Sequence, residues 1–150
     1  MDVERAAQQL RAHGFRLTHQ REAVLAAVSQ VDRGLDPAEI LERGRIACPE
    51  LGLATVYRTL DLFTELGIVR RIHADKGCAA VAPTEREHGH YVVCSGCGRV
   101  TEFSTCDIRA VEAGAARETG FSISAHFLEL TGVCADCQTN AKSPSTASTA

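Results

Sequence analysis

The stretch LATVYRTLDLFTELG, residues 53–67, decides the fold of the first half of the chain. Val56, Leu60 and Phe63 recur at spacings of four and three residues, which places them on one face of a helix. Gly67 is suited to end that helix, because glycine adopts the left-handed backbone conformation of a helix stop without strain. The pattern predicts a helix over residues 54–66 whose apolar face turns toward a core.

Three further helices are predicted ahead of this one. Apolar residues give residues 3–13 one face that can be buried, and Gly14 follows as a stop. Thr18 is typical of a residue that caps a second helix, which we expect to end near Gly34. The third begins at Asp36, where Asp-Pro-Ala-Glu combines a capping side chain, a proline in the first turn and a glutamate three residues after the cap.

Two short strands are predicted after the fourth helix. Residues 68–72 and 78–81 flank residues 75–77, which are typical of a tight turn. Helices followed by such a hairpin are the pattern of a winged helix. We therefore predict a winged-helix domain over residues 1–83, followed by a polar and charged hinge at 84–89.

The second half of the chain changes to the two-residue period of strands. Segments 91–93 and 99–103 flank a cysteine-bearing turn, and apolar residues that share one side predict a helix over residues 107–119. Residues 121–127 alternate between apolar and polar side chains, which predicts a final strand. The sequence thus predicts an α+β protein in which residues 90–137 form a second, small α/β domain.

Composition excludes several classes of protein. The 150 residues are 45% hydrophobic and 23% charged, as in globular proteins. No apolar run approaches the roughly 18 residues that span a bilayer, and the acidic start lacks the apolar core of a signal peptide, so we expect a cytoplasmic protein without a membrane partner. Only residues 138–150, rich in Thr, Ser and Ala, are expected to be disordered. The net charge of −3 excludes nucleic-acid binding through bulk positive charge. Any contact with nucleic acid must therefore depend on where individual side chains are placed.

Four of the seven cysteines form two pairs with the spacing of metal ligands. Two residues separate Cys94 from Cys97, and two separate Cys134 from Cys137. Each pair can direct two thiolates at one ion, and two pairs complete a tetrahedral zinc site without an open position. Such a closed site is structural, and we expect it to stabilise a domain too small to be stable alone. The alternative is a pair of redox dithiols.

Three histidines and a fifth cysteine suggest a second metal site. His88 and His90 are two residues apart, so in an extended segment both point to one face. His126, on the predicted last strand, is a candidate third ligand, and Cys106 is a candidate fourth. A solvated histidine pair and a small buried cysteine are equally good explanations at this stage.

Three segments carry a resemblance to a known family. They are residues 10–21, the string Ala-Thr-Val-Tyr-Arg-Thr-Leu at 54–60, and the His-x-His that leads into Cys-x-x-Cys-Gly. Together they resemble the ferric uptake regulator (Fur) superfamily of bacterial metal-sensing repressors, over roughly residues 5–137. The resemblance implies an N-terminal DNA-binding domain, a C-terminal dimerisation domain, and a regulatory metal at their junction that acts as corepressor.

The resemblance also implies roles for individual residues. The structural zinc ion, one per protomer, would be held by Cys94, Cys97, Cys134 and Cys137. The recognition helix would contact bases and phosphates of operator DNA through Thr55, Tyr57 and Arg58.

The regulatory site implied by the resemblance is altered in this sequence. His88, His90 and His126 match family ligands, but the family's acidic ligand is replaced by Arg109, which cannot bind a metal ion. We predict that Cys106, one turn earlier, takes its place; Asp107 and Glu102 are weaker candidates. A thiolate among imidazoles favours zinc, and iron(II) is the alternative ion.

The predicted function is that of a homodimeric, metal-dependent repressor without enzymatic activity. It would bind palindromic operator DNA, with zinc or iron(II) as corepressor, and control metal homeostasis genes. One alternative is a redox- or peroxide-sensing regulator of the same fold that uses Cys78 and Cys106. Another is a zinc enzyme, in which three histidines leave the fourth position to water.

Overall fold

Four helices followed by a hairpin form the first half of the molecule, as the sequence predicts. The structure, a computed structural model, describes residues 3–30, 32–73, 79–84 and 88–141. A three-stranded sheet flanked by two helices forms the second half. In chain order the elements are α1 (Val3–Ala12), α2 (His19–Ser29), α3 (Pro37–Ala47), α4 (Leu53–Glu65), β1 (Val69–His73), β2 (Ala79–Pro83), β3 (His90–Cys94), β4 (Val100–Phe103), α5 (Arg109–Thr119), β5 (Glu129–Gly132) and α6 (Ala135–Ala141).

Local signals set the helix boundaries. The Thr18 hydroxyl accepts a hydrogen bond from the backbone N–H of Arg21 at the start of α2. Asp36 and Glu39 form the reciprocal capping box predicted for α3. Gly67, with φ of +68°, follows α4 in the left-handed conformation that favours glycine.

The apolar face of α4 fixes its orientation. Val56, Leu60 and Phe63 are buried, as predicted, in a core that α1, α2 and α3 also contribute to. Burying this face leaves the opposite one open, and Tyr57 is 49% exposed there. The core thus determines which side chains α4 presents to a partner.

Helix α2 ends earlier than the sequence predicts. Its last residue is Ser29 rather than a position near Gly34; Val31 lies outside the described residues. The reason is a long-range pairing: Leu35 exchanges two backbone hydrogen bonds with Val81 of β2, of 3.1 and 2.9 Å. The chain leaves the helix to make this bridge to the hairpin.

Strand β3 is the centre of the second half. It pairs antiparallel with β4 across the cysteine-bearing turn and parallel with β5. A small core between the hairpin and β3 joins the two halves of the molecule. It consists of Ile72, Ala80, Ala82, Tyr91 and Val93.

The predicted strand over residues 121–127 is wrong in position. The strand that pairs with β3 is β5, Glu129–Gly132, so His126 lies in the irregular segment before it. Regular alternation is not sufficient for a strand, because the backbone also needs a partner for its hydrogen bonds. Among the described residues no strand lies beside 121–127, and Phe121 is 72% and Phe127 85% exposed.

Two other expectations for the second half need correction. The apolar side predicted for the helix at 107–119 is not buried in this protomer: Val111 is 69% exposed, and α5 has no buried residue. The tail does not begin at 138, because α6 continues to Ala141, supported by the hydrogen bond from Gln138 N–H to the Cys134 carbonyl. Residues 142–150 lie outside the described chain.

Candidate metal centres

His88, His90 and His126 converge at the start of β3. Their ring centroids are 4.7 Å apart for His88 and His90, 5.0 Å for His88 and His126, and 5.1 Å for His90 and His126. The Sγ of Cys106 lies 3.2 Å from Nε2 of His126. One ligand atom from each of these four residues, the histidine–cysteine cluster, lies within 4.8 Å of the others, so the cluster can hold one metal ion.

His90 is the buried member of the histidine–cysteine cluster. It is 1% exposed, and neither ring nitrogen has a hydrogen-bond partner among the residues that the structure describes. A buried polar group left unpaired costs about 1–3 kcal/mol, so a metal ion bound to one nitrogen would remove part of this cost. Burial, and then the neighbouring His88 and His126, lower the pKa of His90. The imidazole therefore stays in the neutral form that binds metals.

Glu112, on the first turn of α5, orients His126. Its carboxylate accepts a hydrogen bond of 2.9 Å from Nδ1 of His126, which leaves Nε2, the nitrogen beside Cys106, free to ligate. A carboxylate in this position fixes the tautomer and the ring orientation of a ligating histidine. Sequence reasoning missed Glu112, although it lies three residues after Arg109 and so on the same helix face.

The other candidate ligands lie outside the histidine–cysteine cluster. Arg109 is exposed and forms an ion pair of 3.2 Å with Asp107, itself exposed. The Glu102 side chain packs against Gly89, where it occupies the space that a Cβ would take. Neither acid belongs to the group of mutually close ligand atoms, so the geometry favours Cys106 as fourth ligand.

Arg70 of β1 connects the histidine–cysteine cluster to the winged helix. Its guanidinium donates a hydrogen bond of 2.7 Å to the carbonyl of Gly89, the residue between His88 and His90. It also lies 5.7 Å from the ring of Tyr91. The histidines are thus attached directly to the hairpin that follows α4.

The four paired cysteines converge as predicted. One atom from each of Cys94, Cys97, Cys134 and Cys137, the four-cysteine group, lies within 4.8 Å of the others. The Sγ atoms of Cys97 and Cys134 are 3.7 Å apart. With Zn–S bonds of about 2.3 Å, a tetrahedral site places sulfurs about 3.8 Å apart. The distance between these two sulfurs therefore suits zinc.

Backbone hydrogen bonds favour the thiolate form of one member of the four-cysteine group, Cys94. The N–H of Cys134 lies 3.3 Å from the Cys94 sulfur, and backbone hydrogen bonds from Cys134, Cys97 and Gly96 lower the pKa of Cys94 to about 6. A thiolate is the form that binds a metal ion. A Cβ at position 96 would lie 3.1 Å from the sulfur of Cys137, so glycine lets the turn close around the ion.

The open face of α4 lies beside the start of α2. Tyr57 lines a cleft of about 260 Å³ with residues that include Pro37 and Arg71. On the neighbouring flank Thr55 and Arg58 line another cleft, of about 280 Å³. Its remaining lining residues are Thr18, Gln20, Arg21 and Thr59. The three predicted contact residues thus line two clefts on α4: Tyr57 lines one, and Thr55 and Arg58 line the other.

Sequence reasoning did not select Gln20 and Arg21, whose place near α4 depends on packing between helices. Cys78, the candidate for a redox switch, lies outside the described residues. Among the described residues no helix is both long enough and apolar enough to cross a membrane.

Comparisons with known proteins agree with this arrangement. The family model described as "Ferric uptake regulator family" matches residues 12–131. The ferric uptake regulation protein of Campylobacter jejuni is 34% identical, over 90% of this chain and 87% of its own. The zinc uptake regulation protein of Mycobacterium tuberculosis is 32% identical, over 85% and 98%. A solved zinc uptake regulator, complexed with zinc and DNA, has a TM-score of 0.77 at 25% identity, covering 92% of this chain and 93% of that one. Two converging metal-ligand groups on a winged-helix chain and a match over residues 12–131 lead to one conclusion: this chain belongs to the ferric uptake regulator family of metal-responsive transcription regulators.

Proposed function

We propose that the protein is a homodimeric, metal-dependent repressor of metal homeostasis genes that acts on palindromic operator DNA in the cytoplasm. The observation that carries this proposal is the histidine–cysteine cluster, four side chains that could bind one metal ion and that are connected to the winged helix by the Arg70–Gly89 hydrogen bond. Residues 1–83 would bind DNA, 84–89 would form the hinge, and 90–137 would bind the structural metal and dimerise. The relatives support this function by their names, which are those of ferric and zinc uptake regulators.

The histidine–cysteine cluster is the proposed sensor. His88, His90, His126 and Cys106 belong to segments that are separated in the chain and can be joined by one ion. His88 is exposed, so an ion can exchange with solvent there. Because Arg70 binds the carbonyl between His88 and His90, ordering of these ligands by an ion would also fix β1 relative to the sensor. This contact supports a coupling between metal binding and the orientation of the winged helix.

Zinc is the proposed regulatory ion. Three imidazoles and one thiolate suit zinc, whereas manganese and magnesium prefer oxygen ligands. Iron(II) remains the competing candidate, since affinity alone does not determine which metal a cell supplies. The four-cysteine group would hold a separate, structural zinc ion, because four thiolates leave no position for exchange with a ligand.

The second half provides the proposed dimer interface. Large apolar side chains in this half are exposed on one protomer, among them Phe121, Phe127 and Val111. Soluble proteins rarely expose large contiguous apolar patches, and these side chains come from one helix and the segment that follows it. A second copy of the chain packed on α5 and residues 121–127 would bury these apolar side chains. The alternating segment 121–127 would then contact the partner chain. Two recognition helices would then face the two halves of a palindrome.

An anisotropy titration tests the proposed function. Duplexes selected from a random library by the zinc-loaded protein serve as operator. Operator affinity should rise by about 5–150-fold when zinc or iron(II) is added, the usual range of allosteric coupling. Equal affinity with and without metal would contradict the switch, even if DNA still binds.

Arg58→Ala should weaken operator binding by about 1–3 kcal/mol and reduce the salt dependence of binding. Arg58 is an exposed cation on the open face of α4, so the variant removes a DNA contact without disturbing the core. Arg117→Ala, an exposed cation on α5, is the matched control and should leave operator affinity unchanged. If the two variants lost the same operator affinity, the open face of α4 would not be the DNA-binding surface.

Cys106→Ser should lower regulatory zinc affinity by more than about 100-fold, because the loss of a ligand costs more than the roughly 10–100-fold effect of residues that support one. Competition with a chromogenic chelator measures this. Asp107→Asn, the neighbouring acid that is paired with Arg109, should bind zinc as the wild type does. Unchanged zinc affinity in Cys106→Ser would show that water or another group, and not Cys106, is the fourth ligand.

The zinc affinity of Cys106→Ser also distinguishes a metal-dependent regulator from a zinc enzyme. A catalytic zinc site keeps one position for water, whereas Cys106, whose sulfur lies 3.2 Å from Nε2 of His126, would take the fourth position in this cluster. We therefore propose that the protein is not an enzyme. A peroxide-sensing role is less well supported, because the pairing of Cys106 with three histidines fits metal binding.

A further inference from the structure

Another group of metal-binding side chains lies on the winged helix, away from both sites described above. It consists of His19, Cys48 and Glu50, which no motif singled out. Nδ1 of His19 lies 3.7 Å from Oε1 of Glu50, and one ligand atom from each residue lies within 4.8 Å of the others. A tetrahedral zinc ion with bonds of about 2.0–2.3 Å needs ligand atoms about 3.3–3.8 Å apart. Shifts of about 1 Å would therefore close the group on one ion.

The backbone holds two of these ligands close together. Cys48 ends α3, and its N–H donates a hydrogen bond of 2.9 Å to the carbonyl of Gly44. The N–H of Leu51 then donates to the carbonyl of Cys48 at 2.9 Å and closes a turn around Pro49. This turn brings the Glu50 carboxylate within hydrogen-bond reach of the Cys48 thiol. These two hydrogen bonds fix the backbone of the loop.

The third ligand arrives from a different helix. His19 is the first residue of α2, and its side chain, like that of Glu50, is 62% exposed. Cys48 is fully buried and belongs to the core of the winged helix. An ion would therefore lie at the boundary of the core, with the sulfur beneath it, the two exposed ligands above and a fourth position toward solvent. A buried cysteine alone is only a core residue, but here two further ligands converge on it.

We propose that His19, Cys48 and Glu50 form an additional divalent-metal site that takes zinc. Thiolate, imidazole and carboxylate are the protein ligands of zinc, and three of them hold the ion when water takes the fourth position. The ion would fasten the first turn of α2 to the loop that leads into α4. The first turn of α2 carries Gln20, and the loop leads directly into α4, which carries Thr55 and Arg58; these three residues line one cleft. The site would hold zinc less tightly than the four-cysteine group, because it offers one thiolate instead of four.

Metal counting tests this site without DNA, and so independently of the proposed repressor function. Wild type and variants are dialysed against low-micromolar zinc and analysed for zinc per protomer. His19→Ala and Glu50→Gln should each bind one ion per protomer fewer than wild type. Both residues are exposed, so neither change disturbs the core. The matched controls His13→Ala and Glu22→Gln are exposed residues of α1–α2 outside the cluster and should retain the full count.

Cobalt(II) identifies the sulfur ligand. The starting protein is the double variant His90→Ala with Cys106→Ser, in which the four-cysteine group is loaded with zinc. Added cobalt(II) should then give a thiolate-to-metal charge-transfer band in the near ultraviolet, and Cys48→Ala should remove the band. The proposal is overturned if the band is absent from the starting protein, or if His19→Ala and His13→Ala bind the same number of zinc ions.

Discussion

Cys97→Ser should lose the zinc ion of the four-cysteine group and, with it, the folded second half of the protein. Structural zinc contributes an apparent binding free energy of about 10–16 kcal/mol in zinc-finger peptides. A whole domain is stable by only about 5–15 kcal/mol. Because Cys97 is exposed, its replacement costs little packing, and the effect would come from the metal.

The second half has little else to replace that contribution. Among the side chains described in residues 88–139, those buried in the protomer are His90, Tyr91, Val93 and Cys94. The four-cysteine group ties the turn after β3 to the start of α6, with the Ser95 N–H bonded to the Gly132 carbonyl at 2.8 Å. Without the ion this connection depends on hydrogen bonds worth about 1 kcal/mol each and on the exposed ion pair between Arg99 and Asp136, worth about 0–1 kcal/mol. We therefore expect loss of zinc, dimer and protease resistance together.

Zinc content, sedimentation and limited proteolysis measure these three losses. Cys106→Ser is the matched control, since it removes a thiol from the same half but leaves the four-cysteine group intact. It should remain folded and dimeric. If Cys97→Ser keeps its zinc and its dimer, the four-cysteine group is not the element that stabilises this half.

The helices of the winged helix could be predicted from sequence because their signals are local. The capping box at Asp36, the cap at Thr18 and the spacing of Val56, Leu60 and Phe63 all act within one or two turns. The end of α2 could not be predicted from sequence, because it depends on the bridge between Leu35 and a strand more than 40 residues away.

The second half was harder to predict for a related reason. Phe121 and Phe127 carry the alternation of a strand, yet β3 pairs with residues 129–132. Alternation indicates which side chains can share a face, but the choice of partner strand depends on the rest of the sheet and, in our proposal, on a second copy of the chain.

The metal ligands were predictable to different degrees. Two Cys-x-x-Cys pairs identify the four-cysteine group almost by spacing alone. The histidine–cysteine cluster brings together residues from β3, the segment before α5 and the segment before β5, so its fourth member could only be a hypothesis. The structure places Cys106 beside His126 as that hypothesis requires, and its role as a ligand remains a prediction. Glu50 and His19 had no signal in the sequence, because nothing local relates α2 to the loop after α3.

His88→Ala and His90→Ala should abolish the metal response of operator binding while the structural zinc stays bound. In wild type, the metal-bound and metal-free forms should differ in operator affinity by about 5–150-fold. Each variant removes one ligand of the histidine–cysteine cluster, so this ratio should fall to about one. Anisotropy titrations with and without zinc measure the ratio.

The two variants differ in what else they remove. His88 is exposed, so its removal opens no cavity, whereas removal of His90 also leaves a space in a buried region. Agreement between the two variants would therefore show that the loss comes from the ion and not from packing. His13→Ala, an exposed histidine of the loop after α1, should keep the wild-type response. A full metal response in His88→Ala, with one ion still bound at the sensor, would show that the switch does not depend on this cluster.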